Sequence, residues 1–352
     1  MKALVLEEFK KPLVVREMPD PECSPDGVVL RVEANGVCRS DWHAWQGDWD
    51  WIGIELPLPH VLGHEFSGVV EEVGKNVKNF QKGDRVIVPF TIGDGTCPYC
   101  VSGHHNICEN ILMPGFSSWG GFGRYAHVPN ADTNLTRLPE NISFVEAAGM
   151  GCRFMTAFHG VTDQAQVKAG EWVAVHGCGG VGLSAIQIAT ALGANVIAVD
   201  IGEDKLEFAK QLGAVATVNA RDEIAPEAIR EITKGGAHVS IDALGIAQTC
   251  QSSVSSLRKR GRHLQIGLTT RDEEGMIALP VDLIVQYEIQ FVGSLGMQPS
   301  RYPNMLEMVE KGKLNPGQLV TQTISLEEAP RIFNEMQNYQ NLGVTVVDKW
   351  DK

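Results

Sequence analysis

Three short stretches of this chain bring sulfur, imidazole, carboxyl and hydroxyl side chains close together in sequence. They read Gly36-Val37-Cys38-Arg39-Ser40-Asp41-Trp42-His43, then Gly63-His64-Glu65, then Gly151-Cys152-Arg153-Phe154-Met155-Thr156. Cys38, His64 and Cys152 offer two thiolates and one ring nitrogen. Two cysteines, a histidine and a water make an open zinc geometry whose fourth position is left for a substrate. Taken singly, each has a plainer reading: a buried cysteine is usually small core filler, and a histidine is usually packed or solvated.

A second cluster follows. Cys97-x2-Cys100, with Cys108 beyond it, has the spacing of a closed structural zinc site. Tetrahedral zinc needs a fourth ligand, and the same three-residue step leads back to Asp94. Asp94, Cys97, Cys100 and Cys108 would supply one carboxylate and three thiolates. A carboxylate is less usual than a thiolate in such a site, and His104 and His105 are alternative fourth ligands.

The third feature is Gly177-Cys178-Gly179-Gly180-Val181-Gly182, a G-x-G-x-x-G run. Alone it is a weak signal. Here a strand-like run precedes it, a helical run follows, and Asp200 lies about 20 residues on. Gly177 permits a tight turn, Gly179 lets backbone approach a pyrophosphate, and Gly182 lets helix pack on strand. The helix start offers free N–H groups to phosphate. Asp200 would accept hydrogen bonds from a ribose diol and repel a 2′-phosphate, which favours NAD over NADP. Lys205 could add a contact to the same ribose.

These residues must be held by two different kinds of scaffold. The first ~150 residues read as short β-runs broken by turns, for example 28–32, 68–73 and 85–88, with no long helical period. After about residue 153 the pattern alternates. Strand-like runs at 172–175, 196–199, 215–218, 238–242, 262–266 and 289–292 are separated by helical stretches such as 183–192 and 203–212. Alternation of this kind predicts a parallel sheet covered by helices on both faces, an α/β fold. The tail carries one clear helix at 304–311 and an apolar ending at 343–347. It is expected to return to the first domain, giving a catalytic domain at 1–153 with 293–352 and a doubly wound dinucleotide domain at 154–292.

Composition narrows the classes of function. The chain has 352 residues, which suggests about two domains. A formal net charge of −13 argues against nucleic acid and anionic membrane surfaces as partners. No apolar run approaches the roughly 18 residues of a membrane span, and no signal-peptide h-region is visible near Met1. A cytoplasmic location is expected. In a reducing compartment, eight cysteines are more often metal ligands, catalytic groups or core filler than disulfides.

Taken jointly, in order and interval, these motifs resemble the zinc-containing medium-chain alcohol dehydrogenases over essentially the whole chain. The resemblance implies a GroES-like, irregular, mostly-β catalytic domain joined to a Rossmann domain. It implies two zinc ions per chain, one catalytic on Cys38, His64 and Cys152, and one structural in the cysteine lobe. It implies that Ser40 takes the alcohol proton and passes it through the cofactor ribose toward His43. Asp41 would orient His64, Glu65 would sit behind the metal and tune it, and Thr156 would pack on the nicotinamide. Family members form dimers or tetramers through an edge strand, and a homotetramer is favoured here.

Two departures stand out. Asp94 stands where most structural lobes have a cysteine. The stretch after Gly293-Ser294 carries Gln298-Pro299 where an arginine near the cofactor phosphates is common. Cys23, Cys178 and Cys250 match no ligand position and are read as structural. Trp42, Trp45, Trp49, Trp51 and Trp119 crowd the first domain; some could line an apolar cleft, but core packing is the better expectation for any single one. Simple primary or secondary alcohols and their aldehydes or ketones are the expected substrates. A polyol or amino-alcohol dehydrogenase is one competing reading, against which Cys152 argues. A non-catalytic nucleotide-binding relative is the other, against which the three retained zinc ligands argue.

Overall fold

Strand-forming residues dominate the first part of the chain, and their pairing brings its distant ends together. A computed structural model describes residues 1–337 and 341–350; positions 338–340 and 351–352 of the expected returning tail lie outside the described residues. The chain divides into two units. One holds Met1–Met155, Gly296–Gly312 and Pro316–Lys352, and the other holds Thr156–Leu295 and Lys313–Asn315.

In the first unit, Val28–Val37 is the central strand of a seven-stranded sheet. It pairs antiparallel with Glu65–Val73 along one side, and on its other side with Tyr125–Val128 at residues 28–31 and with Val344–Lys349 at residues 35–37. The apolar ending therefore aligns Thr345 with Val37 and Val346 with Gly36. Alternation along these strands buries Leu30, Val32, Phe66, Val70 and Val347 in one apolar core. Trp45 and Trp49 belong to that core, and Trp42, Trp51 and Trp119 pack against it. This matches the packing role expected for tryptophans that have both a large apolar body and one N–H to satisfy. Trp45 Nε1, for instance, donates to the Lys11 carbonyl at 2.6 Å.

One element here was not expected: an eight-residue helix, Arg39–Gln46. Its start is fixed by Asp41, whose carboxylate accepts from the Cys38 backbone N–H at 3.0 Å. That contact satisfies an otherwise orphaned donor at the helix start. Gly47 ends the helix in the left-handed conformation, with φ 69°.

The second unit is an α/β layer structure. Its six strands are all parallel and run Ala216–Asn219, Asn195–Asp200, Trp172–His176, Ala237–Asp242, Leu257–Gln265, Gln290–Gly293 across the sheet. Numbered by sequence this is order 3-2-1-4-5-6, the doubly wound arrangement of dinucleotide-binding sheets. The helix expected at 183–192 begins earlier, as Gly180–Ala191, so Gly180, Val181 and Gly182 form its first turn. Among the described residues no helix is long and apolar enough to cross a membrane.

Inside this unit the His176 side chain is buried, with its Nε2 3.4 Å from the Ser256 hydroxyl. Burial pushes its pKa down to about 3. An unfolded histidine binds its proton near 6.5. Between those values the unfolded chain holds more protons than the folded one, so stability falls as pH drops through that window. The full effect is about 1.4 kcal/mol for each pH unit below 6.5. His176→Gln should therefore lose less stability than the parent between pH 7 and pH 5, measured as the shift in denaturant midpoint. Equal losses would show that His176 is not a source of acid sensitivity.

Candidate active site

The candidate metal ligands of the first unit converge from three elements. Cys38 immediately precedes the helix Arg39–Gln46, His64 immediately precedes the strand Glu65–Val73, and Cys152 lies on a π-helical turn, Met150–Phe154. Such turns insert one residue into a helix and recur at functional sites. Ligand atoms of Cys38, His64, Glu65 and Cys152 all lie within 4.8 Å of one another.

Asp41 organises this cluster. Its Oδ2 holds the Cys38 N–H, while its Oδ1 accepts from the Gly63 N–H at 3.1 Å and meets His64 Nδ1 at 2.8 Å. A carboxylate can only accept, so Nδ1 carries a proton, and in the neutral ring Nε2 keeps a free lone pair. That Nε2 is buried and has no hydrogen-bond partner. A buried, unpartnered acceptor is costly unless something electropositive meets it, and two thiols stand beside it. The donor set suits zinc, which prefers sulfur and imidazole nitrogen.

The mutual hydrogen bond of the two thiols pulls the Cys38 pKa well below the ordinary thiol value and pushes Cys152 up. A bound cation would favour the thiolate at both. Glu65 behind them is fully buried, and burial raises its pKa to about 7 against the opposing charge of Arg153. The Arg153 backbone N–H and Nε donate to Glu65 Oε1 at 3.2 and 2.9 Å, and its Nη2 donates to Oε2.

Ser40 and His43 sit on the helix Arg39–Gln46, three residues apart and hence neighbours on its surface. Ser40 is half-buried. His43 Nδ1 contacts Asp48 Oδ2 at 2.9 Å, and its ring stacks on Trp49 with centroids 4.8 Å apart. Burial lowers the His43 pKa, with Asp48 opposing. Neither Asp48 nor the Trp49 stack was visible from spacing, since the chain must first turn at Gly47. Phe116 and Phe90 flank His64, with ring centroids at 5.2 and 5.9 Å.

The second candidate metal site is also assembled. Asp94, Cys97, Cys100 and Cys108 place ligand atoms within 4.8 Å of one another, and neither His104 nor His105 belongs to the group. Backbone N–H groups of Asp94 and Asn110 approach Cys108 Sγ at 3.3 Å, and the Cys100 N–H approaches Cys97 Sγ at 3.4 Å. Donors aimed at sulfur favour thiolates. Asp94 itself accepts from Asn110 Nδ2 and from the backbone of Thr96 and Cys97, which hold its pKa below the usual carboxylate range.

In the second unit, Gly177 turns the chain after the strand Trp172–His176 with φ 91°. A Cβ on Gly182 would collide with the Gly177 carbonyl oxygen, whereas one on Gly179 would meet nothing. The loop is thus tight underneath and open above, where a pyrophosphate would need room. Asp200 ends the next strand. Its Oδ2 accepts from the Cys178 N–H at 2.7 Å, and its Oδ1 accepts from Ile201 and Gly202 at 2.8 and 3.0 Å. Lys205 lies in the following helix, Glu203–Gln211. Thr156 is buried, and its hydroxyl has no hydrogen-bond partner.

The alcohol dehydrogenase GroES-like domain family matches residues 24–140, and the zinc-binding dehydrogenase family matches residues 180–311. An alcohol dehydrogenase of Geobacillus stearothermophilus is 36% identical over 348 residues, covering 99% of each chain. An NAD-dependent alcohol dehydrogenase of Sulfurisphaera tokodaii is 35% identical, also covering 99% of each. The solved alcohol dehydrogenase from Thermus sp. ATN1 superposes with a TM-score of 0.91 at 32% identity, covering 99% of this chain and 100% of that one. The chain belongs to the zinc-containing medium-chain alcohol dehydrogenases. It is an oxidoreductase.

Proposed function

We propose that this chain is an NAD-dependent zinc enzyme that reversibly oxidises primary or secondary alcohols to aldehydes or ketones, with Cys38, His64 and Cys152 as ligands of the catalytic zinc. One observation carries the reading: His64 Nε2 is buried, unpartnered and fixed in its tautomer by Asp41, beside two thiols. When bound, zinc supplies the Lewis acidity that makes an alcohol hydroxyl acidic, and NAD supplies the hydride acceptor. The chain's own residues do the rest. Asp41 fixes the imidazole and raises its basicity as a ligand. The Ser40 hydroxyl can accept a proton and donate one at the same time, and His43 releases it toward solvent.

Asp200 supports NAD over NADP, because a fixed carboxylate repels a 2′-phosphate. Gly177, Gly179, Gly180, Val181 and Gly182 cradle the pyrophosphate, Lys205 assists at the ribose and Thr156 packs on the nicotinamide. Asp94, Cys97, Cys100 and Cys108 hold a second, structural zinc. A homo-oligomer fits the apolar exposure of Phe291 on the edge strand Gln290–Gly293 and of Val281 and Val285 on the helix before it; a tetramer is favoured over a dimer by the family resemblance, and sedimentation equilibrium reads its size. A cytoplasmic location fits eight cysteines that are all free thiols, and fractionation of the producing cell tests it.

Metal analysis and substrate profiling test the function together. Two zincs per chain and turnover of ethanol or benzyl alcohol with NAD are expected; a protein without metal, or one active only on sorbitol or threonine, would refute it. Cys97→Ser should remove one zinc and lower the thermal midpoint while turnover at moderate temperature persists. Loss of both zincs, or of turnover alone, would show that the lobe is not a separate structural site.

A further inference from the structure

The cluster in the first unit has one potential ligand too many. Cys38, His64, Glu65 and Cys152 all stand within 4.8 Å of one another, yet a catalytic zinc needs three protein ligands and a vacant place. Four would close the site, as in structural zinc. Something must keep the Glu65 carboxylate from taking that place.

Both oxygens of Glu65 are already engaged by a single residue. Oε1 receives the Arg153 Nε and backbone N–H, and Oε2 receives Nη2. The planar guanidinium fork matches a carboxylate at two points, which fixes orientation as well as distance. Neither partner can turn to water, because the side chains are 0% and 7% exposed. Two glycines make room for the pair. A Cβ on Gly36 would run into Glu65 Oε2 and crowd Arg153 Nη2, and one on Gly151 would come within 2.8 Å of Glu65 Cα. The π-helical turn Met150–Phe154 carries Cys152 and Arg153 side by side, so the residue next to a thiol ligand restrains the competing carboxylate.

We infer that Arg153 is a positioning residue that keeps Glu65 off the catalytic metal and so holds open the place an alcohol must occupy. This rests on the metal-centre reading given above. Removing the fork frees a buried carboxylate a few ångströms from a cation, where ligation is its best remaining partner.

The test uses the full-length protein with cobalt(II) in place of the catalytic zinc and imidazole as the probe for the open position. Visible absorption follows imidazole binding. Arg153→Gln should weaken that binding by about tenfold or more, the scale of an altered outer partner of a metal ligand. Arg153→Gln combined with Glu65→Gln should restore it to near the parent value, a rescue that a merely structural role would not produce. Unchanged imidazole affinity in Arg153→Gln, or no rescue in the double variant, overturns the inference. Should Arg153→Gln not fold, Arg153→Lys decides: weaker imidazole binding supports the inference, because lysine cannot grip both oxygens, and parent-like binding overturns it. Bound cobalt in the parent that ignores imidazole also overturns the inference, whereas a parent that takes up no cobalt at Cys38, His64 and Cys152 would overturn the metal-centre reading itself.

Discussion

Cys38→Ala should abolish alcohol turnover while NADH still binds. The loss expected is about four orders of magnitude or more, since Lewis-acid catalysis is worth several kcal/mol and each 1.4 kcal/mol is tenfold in rate. The substitution is clean by geometry. Asp41 bonds the backbone N–H of Cys38, not its sulfur, so the start of the helix Arg39–Gln46 and the orientation of His64 should survive. The glycine turn and Asp200 lie in the other unit, on their own parallel sheet, so cofactor affinity should survive as well. Zinc content should fall from two per chain to one, leaving the lobe at Cys97–Cys108 filled. Retained turnover, or two zincs still bound, would remove Cys38 from the metal site.

Asp200→Gly should produce the second largest effect, a change of cofactor preference. Hydrogen bonds to a charged group are worth about 1.5–3 kcal/mol, so losing the ribose contact should weaken NAD by roughly 10- to 100-fold. Loss of the negative charge should at the same time admit the 2′-phosphate of NADP. Asp200 has a second duty, because its two oxygens already hold the N–H groups of Cys178, Ile201 and Gly202. Asp200→Asn separates the two effects. It drops the charge yet keeps one of the two acceptor oxygens, so NADP should gain while the thermal midpoint falls less than in Asp200→Gly. Fluorescence titration of NADH and NADPH against all three proteins reads the outcome, and unchanged NAD affinity in Asp200→Gly would take Asp200 off the ribose.

Residues that act through local order could be found in the sequence. Gly177 to Gly182 sit between a strand and a helix, and Cys97, Cys100 and Cys108 sit on one loop, so spacing alone carries their geometry. The inner strands Trp172–His176 and Asn195–Asp200 were equally visible, because strands buried on both faces read as continuous apolar runs broken by helices. The helix Arg39–Gln46 was not. It is short, it starts after a cysteine instead of a favoured cap residue, and its buried positions include the charged Asp41, which breaks the apolar period. The π-helical turn Met150–Phe154 has no sequence signature at all. Arg153 stayed silent for the same reason: beside Cys152 it is a lone arginine, and only the pairing of Gly36 with Glu65 brings its partner within reach. Asp48 and Trp49 became partners of His43 only through the left-handed turn at Gly47.

The bridging carboxylate of Asp41 ties two events that are usually treated apart. It touches the amide that opens the helix bearing Ser40 and His43, and it touches the ring that would donate a lone pair to the proposed zinc. Binding of the ion and ordering of the proton path therefore share an energy term. A chain stripped of its ion should fray at that helix first, so that the route for protons is completed only when the charge that creates them is in place.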